Sequence, residues 1–129
     1  MKTLVVLDTN VLVSAFWSEN GTSSRVVQQL IVGKYLLCYD DKIMTEYSIV
    51  LSRERFSFNA CKTLALLQLI AEEGLIVAVR PSTVAFSDES NRKFYNVAQA
   101  CGAFLVTGNK KHFPAEPFVV SPGEFLSFS

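Results

Sequence analysis

Near its start the chain reads Thr3-Leu4-Val5-Val6-Leu7-Asp8-Thr9-Asn10, an apolar run that passes directly into polar residues. The apolar part is short, unbroken and rich in β-branched residues, which is typical of a strand buried on both faces. The polar triplet offers capping side chains for a helix over Val11–Trp17. A buried strand followed at once by a helix predicts the first unit of an α/β fold.

The same alternation of strand and helix patterns continues along the chain. Further apolar runs predict strands at Tyr35–Tyr39, Leu75–Val79, Ala103–Thr107 and Phe118–Val120. Apolar residues at helical spacing predict helices from Ser23 or Ser24 to Gly33, from Asp40-Asp41 to Leu51, over Asn59–Glu73, and from Ser87-Asp88 to Cys101. We therefore expect one domain over residues 1–129, with a five-stranded, mainly parallel sheet and helices on both faces.

Composition excludes several classes of protein. The 129 residues carry 12 Lys and Arg against 12 Asp and Glu, so the formal net charge is zero, and half of the residues are hydrophobic. This excludes a disordered chain and a generic, strongly basic nucleic-acid binder. The apolar runs are far shorter than the ~20 residues of a membrane-spanning helix, and no secretory pattern is present, so we expect a cytoplasmic protein. Cys38, Cys61 and Cys101 are widely spaced, which predicts buried reduced thiols.

Polar residues just past the strands form the candidate site, because ligands of such folds bind outside the carboxyl ends of the strands. Asp8 follows the first strand, Asn109 follows the fourth, and Glu46 lies about two turns into the helix after the second. Asp88 and Asn91 begin the helix that leads into the fourth strand. Carboxylates gathered at one edge repel one another unless a hard divalent cation, Mg²⁺ or Mn²⁺, lies between them. Such ions support phosphodiester hydrolysis by activating water and stabilising charge on phosphate oxygens.

Four segments of the chain resemble a PIN domain and follow the family's order and spacing over nearly its whole length. They are the first strand with Asp8-Thr9-Asn10-Val11, Glu46 in its helix, Asp88-Glu89-Ser90-Asn91-Arg92-Lys93-Phe94, and Leu105-Val106-Thr107-Gly108-Asn109-Lys110-Lys111-His112-Phe113. The most similar branch comprises small prokaryotic proteins described as toxins of toxin–antitoxin systems. The resemblance implies a three-layer α/β/α sandwich and a metal-dependent endoribonuclease with an acidic pocket.

The resemblance also implies roles for single residues. Asp8 and Glu46 match the first two acids of the family. Asn10 matches the common polar neighbour of the first acid, and Thr107 matches the hydroxyl residue that ends the fourth strand.

Two of the four expected acids are amides in this chain. The third acid falls at Asn91, with Asp88 one helical turn earlier, and the fourth falls at Asn109. An amide oxygen ligates a cation without adding negative charge, and Asp88 shares a helix face with Asn91, so it could supply the missing carboxylate. The expected catalytic and metal-binding acids are therefore Asp8, Glu46 and Asp88, helped at the metal by Asn91 and Asn109.

Basic residues flank the expected pocket in the sequence. Arg92, Lys93, Lys110 and Lys111 are the candidates for contacts with RNA phosphates, which Lys and Arg bind without reading the base sequence. The expected partners are RNA, an antitoxin protein that masks the site, and a second copy of the chain in a homodimer.

Other interpretations of the same residues stay open at this point. Asp8 and Asp88 are also good helix caps, and Gly108-Asn109 is also a good turn pair. Loss of two acids would be compatible with a PIN-like RNA- or protein-binding module that has weakened or lost nuclease activity. A small phosphatase with Asp8 as nucleophile is a third interpretation, but that chemistry usually has a second Asp where this chain has Asn10.

Overall fold

The computed structural model describes residues 2–128, whose strands form one parallel sheet. The strands are β1 (Thr3–Leu7), β2 (Tyr35–Tyr39), β3 (Leu75–Ile76), β4 (Phe104–Val106) and β5 (Val119–Val120). They lie in the order β3-β2-β1-β4-β5, and every neighbouring pair is parallel. Leu7 of β1 pairs with Val106 of β4, so the next residues, Asp8 and Thr107, leave the sheet side by side.

Within residues 2–128, six α-helices accompany the sheet. They are α1 (Thr9–Trp17), α2 (Thr22–Ile31), α3 (Asp41–Leu51), α4 (Ala60–Glu73), α5 (Arg92–Cys101) and α6 (Pro122–Ser127). α2 and α5 pack against the sheet, α1 and α6 pack against α2, and α3 packs against α5. This arrangement confirms the predicted three-layer α/β/α sandwich with a central parallel sheet. In the described part of the chain, every helix is too short or too polar to cross a membrane.

The centre of the sheet is its most buried part. Val5, Val6 and Leu7 of β1 have no exposed surface, and the neighbouring strand positions Leu37 and Leu105 are equally buried. An unbroken apolar run is required here because helices cover both faces of a central parallel strand. The burial of β1 places its carboxyl end, and therefore Asp8, at the middle of one sheet edge.

The edge strand β3 is shorter than the sequence predicts. Its two residues are exposed, and beyond them only Val77 continues the pairing, by donating its N–H to the carbonyl of Tyr39 at 2.9 Å. An edge strand has one neighbour, so few interactions favour its extension. Pro81 follows shortly and has no N–H to give to a ladder. The predicted strand to Val79 was wrong.

The helix boundaries and the cysteines also correct the sequence prediction. α2 begins at Thr22 with Gly21 at the N-cap position, rather than at Ser23 or Ser24. The short helix α6 was not predicted, although Ser121 and Glu124 form a reciprocal capping box at its start. All three cysteines are free, but Cys61 is exposed and Cys101 is half-buried, so only Cys38 matches the predicted burial.

Gly74, between α4 and β3, is the position where a side chain is least tolerated. A Cβ there would lie 2.6 Å from the carbonyl oxygen of Ile70, 2.9 Å from the ring of Tyr39 and 3.0 Å from the carbonyl oxygen of Leu37. Two of these contacts are backbone atoms, which cannot move aside without disturbing the end of α4 and the edge of β2. Gly74→Ala is therefore expected to lower the free energy of unfolding by about 1–3 kcal/mol in a denaturant titration.

Gly123 provides the matched control for this substitution. A Cβ at Gly123 would meet nothing closer than the hydroxyl of Ser121 at 4.0 Å. Because Ala is favoured over Gly within a helix, Gly123→Ala should leave the stability unchanged or raise it by up to about 1 kcal/mol. Equal stability of the two variants would show that the close packing around Gly74 is not as described.

Candidate active site

Asp8 stands at the carboxyl end of β1, and only 8% of its surface is exposed. Its N–H donates to the carbonyl of Val106 on β4 at 2.9 Å, and the hydroxyl of Thr107 donates to its carboxylate at 2.8 Å. The residue occupies the N-cap position of α1, yet its side chain makes no capping hydrogen bond. The N–H groups of Thr9 and Asn10 favour its charge without forming such a bond, so helix capping, the other interpretation of Asp8, does not alone account for a buried acid at this place.

The surroundings of Asp8 disfavour its negative charge. Burial raises the pKa of the Asp8 carboxyl above its usual range, because the charged form loses its water. The hydroxyl of Thr107 and the N–H groups of Asn10 and Thr9 lower this pKa in part, whereas the negative charge of Glu46 raises it again. A positive ligand beside Asp8 would offset both the burial and the repulsion.

Glu46, on α3, brings the second carboxylate to this edge of the sheet. Its two oxygens are engaged by different groups: the hydroxyl of Thr9 donates to one, and the ammonium of Lys93 lies 2.7 Å from the other. The neighbouring Tyr47 is fully buried and donates its hydroxyl to the carbonyl of Leu7 at 2.5 Å. This bond anchors α3 to the last residue of β1, which holds Glu46 close to Asp8.

Asp88 caps the short 3₁₀ turn Glu89–Asn91 that precedes α5, and Asn91 ends it. Asp88 is exposed, and its carboxylate accepts hydrogen bonds from the N–H of Ser90 at 2.9 Å and from its hydroxyl at 2.7 Å. These bonds lower the pKa of Asp88, as expected for a capping carboxylate. Asn91 is half-buried, and its side-chain nitrogen has no hydrogen-bond partner in the described part of the chain.

The loop after β4 ties the two strand ends together. The hydroxyl of Thr107, which donates to Asp8, accepts the N–H of Asn109 at 3.0 Å. Asn10 accepts the N–H of Gly108 at 3.2 Å, so it supports the loop from the side of α1. The amide of Asn109 lies 3.2 Å from the ring nitrogen Nε2 of His112. Asn10 and Thr107 thus fix the position of the loop after β4 relative to Asp8. Asn109 lies next to Thr107, at the edge of the site.

Three of the four predicted phosphate contacts already form ion pairs within the chain, and Arg92 and Lys110 do so with acids other than Asp8 and Glu46. Arg92 pairs with Glu89 at 2.6 Å and donates to the carbonyl of Ser82 at 2.8 Å, so it fastens the loop before α5. Lys110 pairs with Glu124 at 2.9 Å, near the start of α6. Both pairs are partly exposed and contribute little to stability.

The other two predicted contacts differ sharply. Lys111 is exposed, whereas Lys93 points inward to Glu46 and only 14% of its side chain is exposed. Beside Lys93 opens a cleft of about 1040 Å³ between α3 and the chain from Val77 to Asn96. Lys42 on α3 and Arg53, which follows that helix, line it together with Glu46. Sequence analysis missed both of these basic residues, although Lys42 lies one helical turn before Glu46 and so shares its face.

Residues 4–111 match the family model of the PIN domain. The chain belongs to the PIN domain family. The uncharacterized protein MJ1680 of Methanocaldococcus jannaschii is 29% identical over 113 residues, which cover 85% of this chain and 73% of that protein. The crystal structure of VapBC2 from Rickettsia felis, bound to a DNA fragment from their promoter, contains a chain with a TM-score of 0.57 and 14% identity. That match covers 92% of this chain and 97% of the other, and it shows a shared fold.

Membership of the PIN family confirms the resemblance seen in the sequence and places the chain in a family of nucleases that generally depend on divalent metal ions. The geometry brings Asp8, Glu46, Asn10 and Thr107 together at the carboxyl edge of the sheet. The carboxylate of Asp88 is instead engaged by Ser90. Within residues 2–128, no group of three or more acidic, His or Cys side chains is placed to hold a metal ion.

Proposed function

We propose that this PIN-family chain is a metal-dependent endoribonuclease that uses Asp8 and Glu46. The observation that carries the proposal is the meeting of two carboxylates from β1 and α3, one of them buried and both tied down by hydroxyl groups. Burial of an acid without a structural role is costly, and such groups are concentrated at functional sites.

The donor set fits a Mg²⁺ or Mn²⁺ ion that is shared with the substrate. In phosphate chemistry Mg²⁺ is usually held by one or two protein carboxylates, with waters and substrate phosphates as the other ligands. Asp8 and Glu46 supply these two carboxylates. The side-chain nitrogen of Asn91 is buried and has no hydrogen-bond partner among residues 2–128, so this amide would turn its oxygen towards an ion, and Asn109 would offer a second amide. Asp88 would act from the rim through water.

The chain's own residues set the geometry of the reaction. When bound, the divalent ion supplies positive charge for the phosphate oxygens and lowers the pKa of a water molecule. Thr107 orients the carboxylate of Asp8, and Thr9 orients that of Glu46. The anchor from Tyr47 to the end of β1 keeps the spacing of the two acids fixed.

The cleft beside Glu46 is the proposed path of the RNA strand. Lys42, Arg53 and Arg92 line it and would contact phosphates on either side of the bond to be cut. Asp40, Asp41 and Glu89 line it as well and balance their charge. Lys110 and Lys111 lie on the other side of the site, beyond the loop after β4, and would extend the contact. Because the basic residues are local while the net charge is zero, binding should depend on the metal ion as well as on salt.

Incubation of the purified chain with a labelled single-stranded RNA tests this proposal. We expect internal cleavage with about 5 mM Mn²⁺ or Mg²⁺ and none in excess EDTA. The metal must be this concentrated because two carboxylates alone bind these ions weakly. The rate of cleavage of a single-stranded DNA of the same sequence, compared with that of the RNA, gives the preference for RNA. No cleavage of any RNA with either metal would contradict the proposal.

The ion pair between Lys93 and Glu46 favours one alternative function, a PIN-like module that binds RNA or protein without cutting. In that case the ammonium would be the permanent counter-ion of the acids. RNA binding that is unaffected by EDTA, without cleavage products, would support the binding module over the nuclease.

We also propose a protein partner, either an antitoxin that covers the site or a second copy of the chain. Exposed apolar side chains support this: Trp17 is 65% exposed and packs on the rings of Phe56 and Phe58, and Leu64 on α4 is 64% exposed. Apolar side chains grouped on a surface are typical of association sites. Light scattering on the purified chain distinguishes a homodimer from a monomer that awaits a different partner.

A further inference from the structure

We propose that Lys93 is a built-in counter-cation, which a divalent ion displaces from Glu46 so that the freed ammonium becomes available to RNA. The inference rests on the proposed function, because it assumes that a metal ion binds between Asp8 and Glu46. It adds a regulatory residue that neither the fold nor the pair of acids implies.

Lys93 is held in place by three groups. Its ammonium lies 2.7 Å from one oxygen of Glu46, donates to the carbonyl of Ser90 and lies 5.0 Å from the centre of the Phe94 ring. Its side chain is 14% exposed and that of Glu46 is 26% exposed, so water screens the pair less than it screens a surface ion pair. Lys93 is therefore a positioned cation at the acidic site, and not a solvated basic residue.

The ion pair and a metal ion compete for the same carboxylate. The hydroxyl of Thr9 donates to one oxygen of Glu46 and the ammonium of Lys93 lies against the other, so an ion bound to either oxygen would lie close to the ammonium. An ammonium and a divalent ion at one carboxylate would repel each other strongly at short range. Binding of Mg²⁺ or Mn²⁺ therefore favours departure of the ammonium of Lys93 from Glu46.

Lys93 also lines the cleft beside Glu46, so the displaced ammonium can move into that cleft. Lys93 sits in the first turn of α5 and lines the same cleft as Lys42 and Arg53. A flexible four-carbon stem allows the ammonium to swing from Glu46 into that cleft while the helix stays in place. Metal binding would thus add one positive charge to the RNA path, and metal and RNA would favour each other's binding.

Titration with Mn²⁺, followed by the loss of the free-ion signal in electron paramagnetic resonance, tests the exchange. Lys93→Met keeps an unbranched side chain for packing and removes the competing charge, so its affinity for Mn²⁺ should be about tenfold higher than that of the wild type. Lys34→Met removes the same charge from an exposed position just before β2, at the opposite edge of the sheet from Asp8, and should stay within about twofold of the wild type. Equal Mn²⁺ affinity in all three proteins would overturn the exchange and leave the proposed function standing.

Amine labelling of the wild-type protein gives a second test that does not depend on a folded variant. With a water-soluble acylating reagent and mass spectrometry, Lys93 should react slowly in EDTA and at least about fivefold faster with saturating Mg²⁺, while Lys111 stays unchanged. An unchanged rate at Lys93 in protein that binds the ion would overturn the exchange. Absence of Mn²⁺ binding to every variant would overturn the proposed function, and the exchange with it.

Discussion

Asp8→Asn is expected to lower metal-dependent RNA cleavage by about 100-fold or more, because loss of groups that merely support metal ligands already costs about 10- to 100-fold. The substitution removes the one carboxylate that is buried at the carboxyl end of β1. An Asn oxygen can still accept the hydrogen bond from Thr107, so the local structure should persist. Initial cleavage rates with saturating Mn²⁺ measure the effect.

Stability separates a chemical effect of Asp8→Asn from misfolding. Burial raises the pKa of the wild-type carboxyl, so the charged form is penalised in the folded protein. The neutral amide avoids that penalty, and the variant should unfold in EDTA at the same temperature as the wild type or higher.

Glu19→Gln is the control for cleavage, because it makes the same change at an exposed residue that follows α1, at the opposite end of that helix from Asp8. Wild-type cleavage by Asp8→Asn would remove Asp8 from the mechanism.

The double substitution Asn91→Asp and Asn109→Asp is expected to raise both Mn²⁺ affinity and the cleavage rate. It restores acids at the two positions where the PIN resemblance expects them. Each new carboxylate should increase the affinity by about tenfold, because a charge within about 4 Å of the ion contributes several kcal/mol at an effective dielectric constant of about 20, of which desolvation cancels a part. Calorimetric titration of the single and double variants with Mn²⁺ gives the contribution of each position.

Asn20→Asp provides the matched control, since it adds the same charge in an exposed turn after α1. It should leave Mn²⁺ affinity unchanged within about twofold, because surface charges at a distance are screened by salt. If the double variant binds Mn²⁺ no better than this control, then Asn91 and Asn109 do not face the ion. The site would then consist of Asp8 and Glu46 alone.

The fold could be predicted from the sequence because most of its strands and helices show clear apolar runs or apolar residues at helical spacing. β1 and β2 were predicted with the observed bounds, since unbroken apolar runs have few alternatives to burial in a parallel sheet. β3 could not be bounded in this way. Its apolar pattern continues to Val79, but its length depends on having one neighbouring strand only, which the local sequence does not express.

The site could be predicted in part, because the direction of parallel strands places Asp8 and Thr107 at one edge. The sequence could not show that the carboxylate of Asp88 accepts hydrogen bonds from Ser90, because an Asp side chain suits a helix cap as well as a metal ligand. It also could not show that Lys93 reaches Glu46, which lies 47 positions earlier and on another helix. Contacts of this kind depend on how α3 and α5 pack, and the anchor from Tyr47 to Leu7 sets that packing at one end.

The zero net charge has a local explanation in the structure. Carboxylates and basic side chains that cancel in the total lie within the same region, as Glu46 with Lys93 and Glu89 with Arg92. A neutral total therefore hides a site where positive and negative groups are already paired. Under the proposed function, a divalent ion would replace Lys93 as the partner of Glu46, and the added positive charge would attract the phosphates of RNA.

The position of a bound ion is the central claim, and paramagnetic broadening of amide signals by Mn²⁺ tests it most directly. In a two-dimensional nitrogen–proton spectrum, substoichiometric Mn²⁺ should first broaden the signals of Asp8, Thr9 and Glu46, followed by Asn91 and Asn109. The Asp8→Asn variant should lose this pattern at the same Mn²⁺ concentration. Broadening centred on other acids, such as Glu72 and Glu73 at the end of α4, with sharp signals around Asp8, would contradict the account.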